Sequence, residues 1–377
     1  MNLSSFYKNT SFTMGSDRYM TLLHILETYP KELYGVLTAV KQVNHFLENT
    51  NIKPYILYSD KGIWNYSLNF KKKLQDFFKN YENIVVHIHG IWKYPQYIGA
   101  KLATKYKVPF IISPHGMLEP WLMDAKKIGY IKFLKKIIYL KFVALPVFKK
   151  AKYIHAITLS EKQNLKKYFP ANEIIIIPNA IDIEKVKKYV DYPNKNRLKK
   201  QILFLGRIHP IKGVDLLIRA FIKSEAHKDN WKLLIVGYKE NLEYMKYLKN
   251  LSRSYEKYIK FLDPIFDERK KYELYNSSWV TVLPSHSEVI GMVNLESAAC
   301  FTPTITTYKT GLLDWEEGGN ILIHPNVDDL VKALKLVISW SLEERIKRGL
   351  KVHNFIKLKY SAEATRKKWI DLYSNLI

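Results

Sequence analysis

The chain has 377 residues, of which 47% are hydrophobic, and a formal net charge of +25, so it suits two globular domains with an anionic partner. Its single cysteine, Cys300, excludes an internal disulfide framework and any metal site built from several cysteines. No stretch approaches the roughly 20 apolar residues of a membrane-spanning helix, and no signal peptide is recognisable, so we predict a cytoplasmic protein.

Short apolar runs alternate with longer amphipathic stretches along the first half of the chain. This alternation is typical of β-α-β units. Residues 1–18 are polar and irregular, which predicts a loosely held arm. The predicted strands are 21–26, 54–58, 84–88, 109–112, 153–157 and 174–177, with helices between them, for example at 36–47 and 71–79.

A second series of the same kind follows residues 189–200, which are polar, charged and interrupted by Pro193 and therefore predict a linker. The predicted strands are 201–205, 232–236, 259–262, 280–283, 304–306 and 321–323, and the helices include 214–222, 295–300, 327–339 and 362–372. Strands separated by helices predict parallel sheets covered on both faces. Ligands of such sheets bind where strands end and loops enter helices, so we expect a site in the cleft between two sheets.

The first strand of the second half ends in a loop that contains two cations. The strand ends at Gly206, Arg207 and Lys212 flank the loop, and a helix is predicted to begin near Gly213. Both cations then lie beside the positive end of a helix, an arrangement that binds a diphosphate. Gly206 lets a ligand approach the backbone closely.

The segment after the fourth strand of the second half adds two carboxylates. Glu288 and Gly291 lie in the loop, and Glu296 lies in or near the first turn of the next helix. Glu288 can reach a sugar hydroxyl, and Glu296 can accept hydrogen bonds from the vicinal hydroxyls of a ribose. The amides of Met292 and Val293 can bind phosphate oxygens. The alternative is that Glu296 complements the helix dipole and Glu288 is solvated.

Together these segments resemble the family 4 retaining glycosyltransferases of GT-B fold. That family carries a strand followed by Gly-Arg and Lys-Gly, and later the segment Pro-Ser-x-x-Glu-x-x-Gly-x-x-x-x-Glu. The matching residues are Gly206-Arg207, Lys212-Gly213, Pro284-Ser285, Glu288, Gly291 and Glu296. Weaker matches to the family lie at 177–182 and 236–237. Two further segments, 89–92 and 113–121, resemble first-domain loops of bacterial polysaccharide-assembly members.

The resemblance implies the fold and its domains. The fold class is α/β, a GT-B arrangement of two Rossmann-like domains with parallel sheets facing across a cleft. The first, acceptor-side domain would span residues 1–190 and be joined by a C-terminal helix at about 361–377, which crosses back as a strap. The second, nucleotide-sugar-binding domain would span residues 198–360.

The resemblance also implies residue roles. Arg207 and Lys212 would bind the donor diphosphate, Glu288 the transferred sugar and Glu296 the ribose, and His115 would lie across the cleft near the reacting sugar. Otherwise His115 is an ordinary loop histidine after a buried strand. The implied catalytic set is His115, Glu288, Arg207 and Lys212. The implied donor-binding set is Gly206, Arg207, Lys212, Gly237, Glu288, Gly291, Met292, Val293 and Glu296. The implied acceptor-side loop residues are Gly35, His89, Gly90 and Trp92.

The activity implied is transfer of a hexose from a UDP- or GDP-linked sugar to a saccharide acceptor, lipid-linked as in many relatives, in cell-surface polysaccharide biosynthesis (capsule, O-antigen or exopolysaccharide). No cofactor is expected. The chain has no Asp-x-Asp pair to hold a divalent cation, and Arg207 and Lys212 would take the place of that ion, so we predict no metal. Val289 replaces the family's usual glycine after Glu288, which leaves sugar orientation open.

The positive charge is concentrated in the first half of the chain. Residues 1–200 hold 33 Lys and Arg against 14 Asp and Glu, a balance of +19, whereas residues 201–377 hold 27 against 21, a balance of +6. Within the first half, residues 126–150 interleave lysines with Ile, Leu, Phe and Tyr, which predicts peripheral binding to the anionic inner face of the cell membrane. The alternatives are an amphipathic helix pair with solvated lysines and a compositional bias towards lysine.

Two other functions stay open at this stage. A GT-B relative that processes sugar phosphates, such as a phosphorylase or an epimerase, would use much of the same fold. A nucleic-acid binder could stack its 27 tyrosines and 8 tryptophans on bases, but it would leave the residues from Arg207 to Glu296 unexplained. We therefore predict no nucleic-acid partner.

Overall fold

The protein contains two six-stranded sheets in which every pair of neighbouring strands is parallel. The computed structural model describes residues 19–28, 34–60, 62–190, 192–193, 196 and 198–376. The predicted arm at 1–18 lies outside the described residues, and the predicted linker at 189–200 lies partly outside them.

The first sheet has the strand order β2-β1-β3-β4-β5-β6. Its strands are β1 (Met20–Leu26), β2 (Ile52–Tyr58), β3 (Ile84–His89), β4 (Phe110–Ser113), β5 (Tyr153–Ala156) and β6 (Ile174–Ile176). The second sheet has the order β12-β11-β10-β7-β8-β9. Its strands are β7 (Gln201–Leu205), β8 (Lys232–Val236), β9 (Ile259–Leu262), β10 (Val280–Leu283), β11 (Thr304–Thr307) and β12 (Ile321–Ile323). The predicted fold class is confirmed.

Fifteen α-helices of the described residues connect and cover the strands. They are α1 (Tyr34–Phe46), α2 (Leu68–Asn80), α3 (Tyr94–Lys105), α4 (Ala125–Ile128), α5 (Tyr130–Tyr139), α6 (Leu145–Phe148), α7 (Leu159–Leu165), α8 (Ile183–Lys187), α9 (Val214–Lys223), α10 (Leu242–Ser252), α11 (Glu268–Ser277), α12 (Met292–Ala299), α13 (Val327–Ile338), α14 (Leu342–Lys359) and α15 (Ala362–Ser374). A π-helical turn, Leu140–Ala144, joins α5 to α6. None of the described helices combines the length and the apolarity that crossing a bilayer requires.

The helix starts fall into two kinds, and the difference marks the functional edge of the second sheet. At most starts a serine, threonine, aspartate or asparagine side chain accepts the orphan backbone N–H of the first turn, as Ser67, Asn241 and Ser341 do. By contrast, α9 and α12 begin after Gly213 and Gly291, whose φ angles are +66° and +63°. A glycine has no side chain to accept these N–H groups. In α9 the Asp215 N–H donates to the Tyr244 hydroxyl at 3.2 Å, whereas the first-turn amides of α12 have no such side-chain partner among the described residues.

The last helix returns to the first sheet. Trp369 and Tyr373 of α15 pack in one apolar cluster with Val43 and Phe46 of α1. The Nε of Arg366 donates to the backbone oxygen of Phe46 at 2.9 Å. The core of the first domain is therefore completed by the C-terminal end of the described chain.

Candidate active site between the two sheets

The loops after β7 and β10 lie side by side because these two strands are neighbours in the centre of the second sheet. The backbone N–H of His286 donates to the oxygen of Ile211 at 2.8 Å. A Cβ atom built on Gly213 would lie 2.3 Å from the backbone oxygen of Pro284. A glycine is required at this position both for the close approach and for its positive φ.

Lys212 and Glu288 are in direct contact. The Nζ atom of Lys212 lies 2.6 Å from both carboxylate oxygens of Glu288. The two side chains are 12% and 18% exposed, so the ion pair is largely shielded from water. Residues 76 positions apart therefore meet at the carboxyl edge of the second sheet.

Arg207 lies at the same edge but has a different partner. Its Nη1 atom is 3.1 Å from a carboxylate oxygen of Glu240, and its side chain is 59% exposed. The loops that carry these residues are in contact, because a Cβ atom on Gly237 would lie only 1.7 Å from the backbone oxygen of Gly206. Arg207 is thus held near the site by an exposed pair that a stronger anion can replace.

Glu296 is the fifth residue of α12, just beyond its first turn, and is bound by two side chains of α11. The Nζ atom of Lys271 lies 2.8 Å from one carboxylate oxygen, and the Tyr275 hydroxyl donates to the other at 3.0 Å. Burial, and then the nearby Glu296 carboxylate, raise the pKa of Tyr275. Lys271 and Tyr275, which no sequence pattern indicated, fix the orientation of Glu296 and leave it further lone pairs for a ligand.

The start of α12 provides the amides predicted for phosphate. Met292 and Val293 are its first two residues, whereas the helix had been predicted to begin at residue 295. Asn294 donates its N–H back to the oxygen of Gly291 at 2.8 Å. The N–H groups of Met292 and Val293 come before the first N–H that donates within the helix, so they form its positive end.

His115 lies on the facing loop of the first sheet, in a left-handed backbone conformation with φ of +52°. Its Nε2 atom is 2.9 Å from Nδ1 of His89. Burial lowers the pKa of His115 to about 3, so the ring is neutral at pH 7.

The predicted acceptor-side residues are only partly in loops. His89 is the last residue of β3 and is buried, and Gly35 is the exposed second residue of α1. Gly90 follows β3 with φ of +89°, and the ring of Trp92 lies under Nζ of Lys136 at 4.7 Å. Placing His89 and Gly35 in loops was therefore wrong: the strand extends one residue beyond the predicted end, and the helix starts two residues earlier.

The first sheet also contains a buried cluster of histidines that the sequence analysis missed. His24, His87 and His155 lie on β1, β3 and β5, and each is at most 2% exposed. The pairing of β1 with β3 places His24 beside His87. The spacing of two between His87 and His89 was the available signal, because a strand directs such residues to one face.

The two sheets meet through loops at this site. A Cβ atom on Gly116 would lie 2.0 Å from Cγ2 of Val289, and the rings of Trp121 and His286 stack at 5.8 Å. The Gly116 amide donates to the buried carboxylate of Glu161 at 2.6 Å. Burial raises the pKa of Glu161 to about 7. Glu161 therefore holds the loop that carries His115 through the Gly116 amide. The same loop contacts the second domain through Gly116 and Trp121.

Two family models match consecutive parts of the chain. The model described as Glycosyltransferase Family 4 matches residues 34–185, and the model described as Glycosyl transferases group 1 matches residues 186–351. Together they span every strand of the two sheets except β1, and all the candidate residues from Gly35 to Glu296.

Individual relatives agree with these matches. An uncharacterized glycosyltransferase of Methanocaldococcus jannaschii is 26% identical over 312 residues, covering 77% of this chain and 74% of the relative. The D-inositol 3-phosphate glycosyltransferase of Geodermatophilus obscurus is 29% identical over 170 residues, covering 41% of this chain and 38% of that protein. Anabaena HepE, solved in complex with UDP and glucose, superposes with a TM-score of 0.71 at 14% identity, covering 95% of this chain and 100% of that chain. The last likeness establishes the shared fold.

Proposed function

We propose that this chain, which belongs to the family 4-type glycosyltransferases of GT-B fold, is a retaining hexosyltransferase with a UDP- or GDP-linked donor. The observation that carries the proposal is the contact between Lys212 and Glu288 beside the two glycine-capped helix starts. One cation, one carboxylate and the amides of two glycine-capped helix starts at one sheet edge suit a sugar diphosphate.

The donor diphosphate would lie between α9 and α12. Negative charge accumulates on this leaving group as the glycosidic bond breaks, and fixed cations at that position lower the barrier. Lys212 is in place for this role, and Arg207 reaches it once its exposed pair with Glu240 opens. Since these cations replace a divalent ion, we expect unchanged turnover in EDTA. Activity lost in EDTA and restored by Mn²⁺ or Mg²⁺ would contradict this part of the proposal.

The carboxylates would bind the two sugar rings. Glu288 would contact the transferred hexose, whose oxocarbenium-like transition state is stabilised by nearby carboxylate oxygen. Glu296, held by Lys271, would accept the ribose hydroxyls. His115 faces them from the first domain as a neutral ring that can exchange hydrogen bonds with hydroxyl groups.

The acceptor we propose is a lipid-linked saccharide, used in building a cell-surface polysaccharide. Support comes from the first-domain segments 89–92 and 113–121, which resemble loops of polysaccharide-assembly members, and from the basic first half of the chain. A sugar phosphate is the second candidate acceptor, because one relative is named as an inositol phosphate glycosyltransferase. Both acceptors are anionic and suit a basic domain.

Peripheral membrane binding is the third part of the proposal. The helix α5 carries exposed apolar side chains, with Ile131 76%, Leu134 58% and Phe142 of the following turn 67% exposed, between lysines. We expect cosedimentation with vesicles containing phosphatidylglycerol, weakened by salt, and reduced in I131S/L134S. The control is L358S, at a side chain of α14 that is 78% exposed. Binding that high salt leaves unchanged would contradict the electrostatic contribution.

A panel of nucleotide sugars tests the whole proposal. We expect slow hydrolysis of one donor, binding of UDP or GDP in calorimetry, and loss of hydrolysis in Glu288→Ala. The control is Glu256→Ala, since Glu256 is exposed before β9 at the opposite edge of the sheet. A protein that binds neither nucleotide but cleaves a sugar with inorganic phosphate would be a phosphorylase, and this result would overturn the proposal.

A further inference from the structure

Two hydrogen-bonded chains pass through the histidine cluster, and the first has a fixed direction. It runs from the Tyr373 hydroxyl to His87 Nδ1 at 2.8 Å, from His87 Nε2 to Ser113 Oγ at 2.6 Å, and from Ser113 Oγ to His155 Nδ1 at 2.7 Å. It ends at the backbone oxygen of Ile177, 2.7 Å from His155 Nε2. Because a carbonyl only accepts, His155 donates from Nε2 and each earlier group donates towards it, with Tyr373 as the first donor.

The donor-to-acceptor direction of this chain argues against a metal ion bound by the histidine cluster. Nitrogen atoms of His24, His87 and His89 lie within 4.8 Å of one another, a spacing that suits a metal ion. Both nitrogens of His87 are already engaged, one donating to Ser113 and the other accepting from Tyr373. Binding an ion would break a buried chain in which every member is satisfied. The three rings therefore serve hydrogen bonding.

The second chain leads to the cleft. His24 Nδ1 lies 2.9 Å from His89 Nε2, and His89 Nδ1 lies 2.9 Å from His115 Nε2. At the far end, His24 Nε2 and Asn44 Oδ1 are two buried polar atoms with no hydrogen-bond partner of standard geometry among the described residues. Asn44 is nevertheless the side chain whose hydrogen bonding raises the pKa of His24 against the effect of burial.

Pairing these two atoms sets the direction of the whole chain. If His24 carries its proton on Nε2 and donates it to Asn44, its Nδ1 must accept from His89 Nε2–H. His89 Nδ1 must then accept from His115 Nε2–H. A neutral imidazole has one proton, so Nδ1 of His115 keeps its lone pair.

We propose that Asn44 acts through His24 and His89 as a positioning residue, fixing His115 in the Nε2–H tautomer so that Nδ1 accepts a hydrogen bond from a substrate hydroxyl. The inference rests on the proposed function for the identity of that substrate. Asn44, His24 and His89 lie on the face of the first sheet covered by α1 and α15, which explains how a residue of α1 reaches the cleft. The crevice beside His89 and His115 has room for about one water molecule, and His115 is half-buried where the chain reaches the cleft.

The test uses nitrogen-15 histidine spectra of the whole protein, with the His115 signal assigned by its loss in His115→Gln. We expect a single Nε2–H tautomer in the wild type, and a mixture of tautomers in Asn44→Leu, which removes the acceptor. Asn44→Gln keeps a neutral amide acceptor and is expected to retain both the tautomer and turnover. We expect kcat to fall roughly tenfold in Asn44→Leu, the effect of one lost hydrogen bond, while the KM for the donor changes less.

The control variant is Gln75→Leu. Gln75 is an amide of α2, the helix whose buried side chains pack on the other face of the first sheet, so its loss leaves the histidine chain intact. An Nδ1–H tautomer of His115 in the wild type, or an Asn44→Leu spectrum identical to that of the wild type, would overturn the inference. Failure of the proposed function is separate, because it would appear as absent UDP and GDP binding in a protein whose tautomers still respond to Asn44.

Discussion

Acidification should unfold the first domain, because five of its histidines are held without charge, four of them buried and His115 half-buried. Burial lowers the pKa of His24 and His115 to about 3 and that of His155 to about 4, and it lowers the pKa of His87 and His89 well below 6.5. The unfolded chain takes up protons on these rings below pH 6.5, whereas the folded protein does not. The free energy of unfolding therefore decreases as the pH falls from 6.5 towards 4.

The loss of unfolding free energy per histidine depends only on the pKa of that histidine in the unfolded chain, as long as its pKa in the folded protein lies below the pH of the measurement. At pH 5.5 each histidine lowers the free energy of unfolding by about 1.4 kcal/mol, or about 7 kcal/mol for five. Glu161 acts in the opposite direction, because its raised pKa of about 7 lets the folded state bind a proton first, and it returns about 2 kcal/mol. The net loss of about 5 kcal/mol is comparable to the whole stability of a marginal domain.

Urea unfolding at 25 °C, followed by tryptophan fluorescence from pH 7.5 to 5, measures this loss. The variant His24→Gln removes one of the five rings and should reduce the loss at pH 5.5 by about 1.4 of the net 5 kcal/mol, roughly a quarter. His45→Gln is the matched control, since the side chain of His45 is 63% exposed on α1. A free energy of unfolding that stays constant between pH 7.5 and 5.5 would refute the reasoning.

Three substitutions in the second domain give further predictions. Lys212→Ala should lower kcat about 100-fold by removing a cation from the leaving diphosphate. The control Lys232→Ala, at the opposite end of the sheet, should leave kcat unchanged. Equal effects of the two variants in donor turnover assays would exclude a catalytic role for Lys212. Gly237→Ala places a Cβ 1.7 Å from a backbone oxygen, so the loops must separate, and calorimetry should detect weaker UDP or GDP binding. Arg345 donates hydrogen bonds to three buried carbonyls. Arg345→Met should therefore lower the free energy of unfolding, measured in urea, by about 3–5 kcal/mol. A decrease below about 1 kcal/mol would show that water replaces these hydrogen bonds.

The strands could be predicted closely because most are short apolar runs bounded by polar residues, and the central ones, such as β3 and β10, are buried along their whole length. The helix α12 shows the limit of this pattern. It starts at Met292 although the apolar periodicity begins later, because Gly291 in a left-handed conformation ends the loop there. The basic segment 126–150 forms α4, α5, a π-helical turn and α6, a division that its continuous apolar pattern did not indicate.

The candidate site was predictable where neighbouring strands carry its residues. Lys212 and Glu288 meet because β7 and β10 are adjacent, which a parallel sheet with ligand loops at one edge favours. The histidine cluster was not predictable in this way, since His24 and His155 lie on strands separated by β3 and β4. Only the strand order brings these histidines together. Hydrogen-bond partners such as Lys271 for Glu296 depend on the orientation of the helices, which the sequence does not specify.

The return of α15 to the first sheet has a consequence for synthesis. During translation the second domain emerges in full before Trp369 and Tyr373, which complete the apolar core of the first. The domain made first must therefore wait for a helix that follows the second domain, an exception to folding from the N-terminus onward. Until α15 is synthesised, the histidine cluster of the first sheet lacks the helix that packs against it. The ribosome-bound chain should then contain a folded second domain beside an incompletely folded first domain.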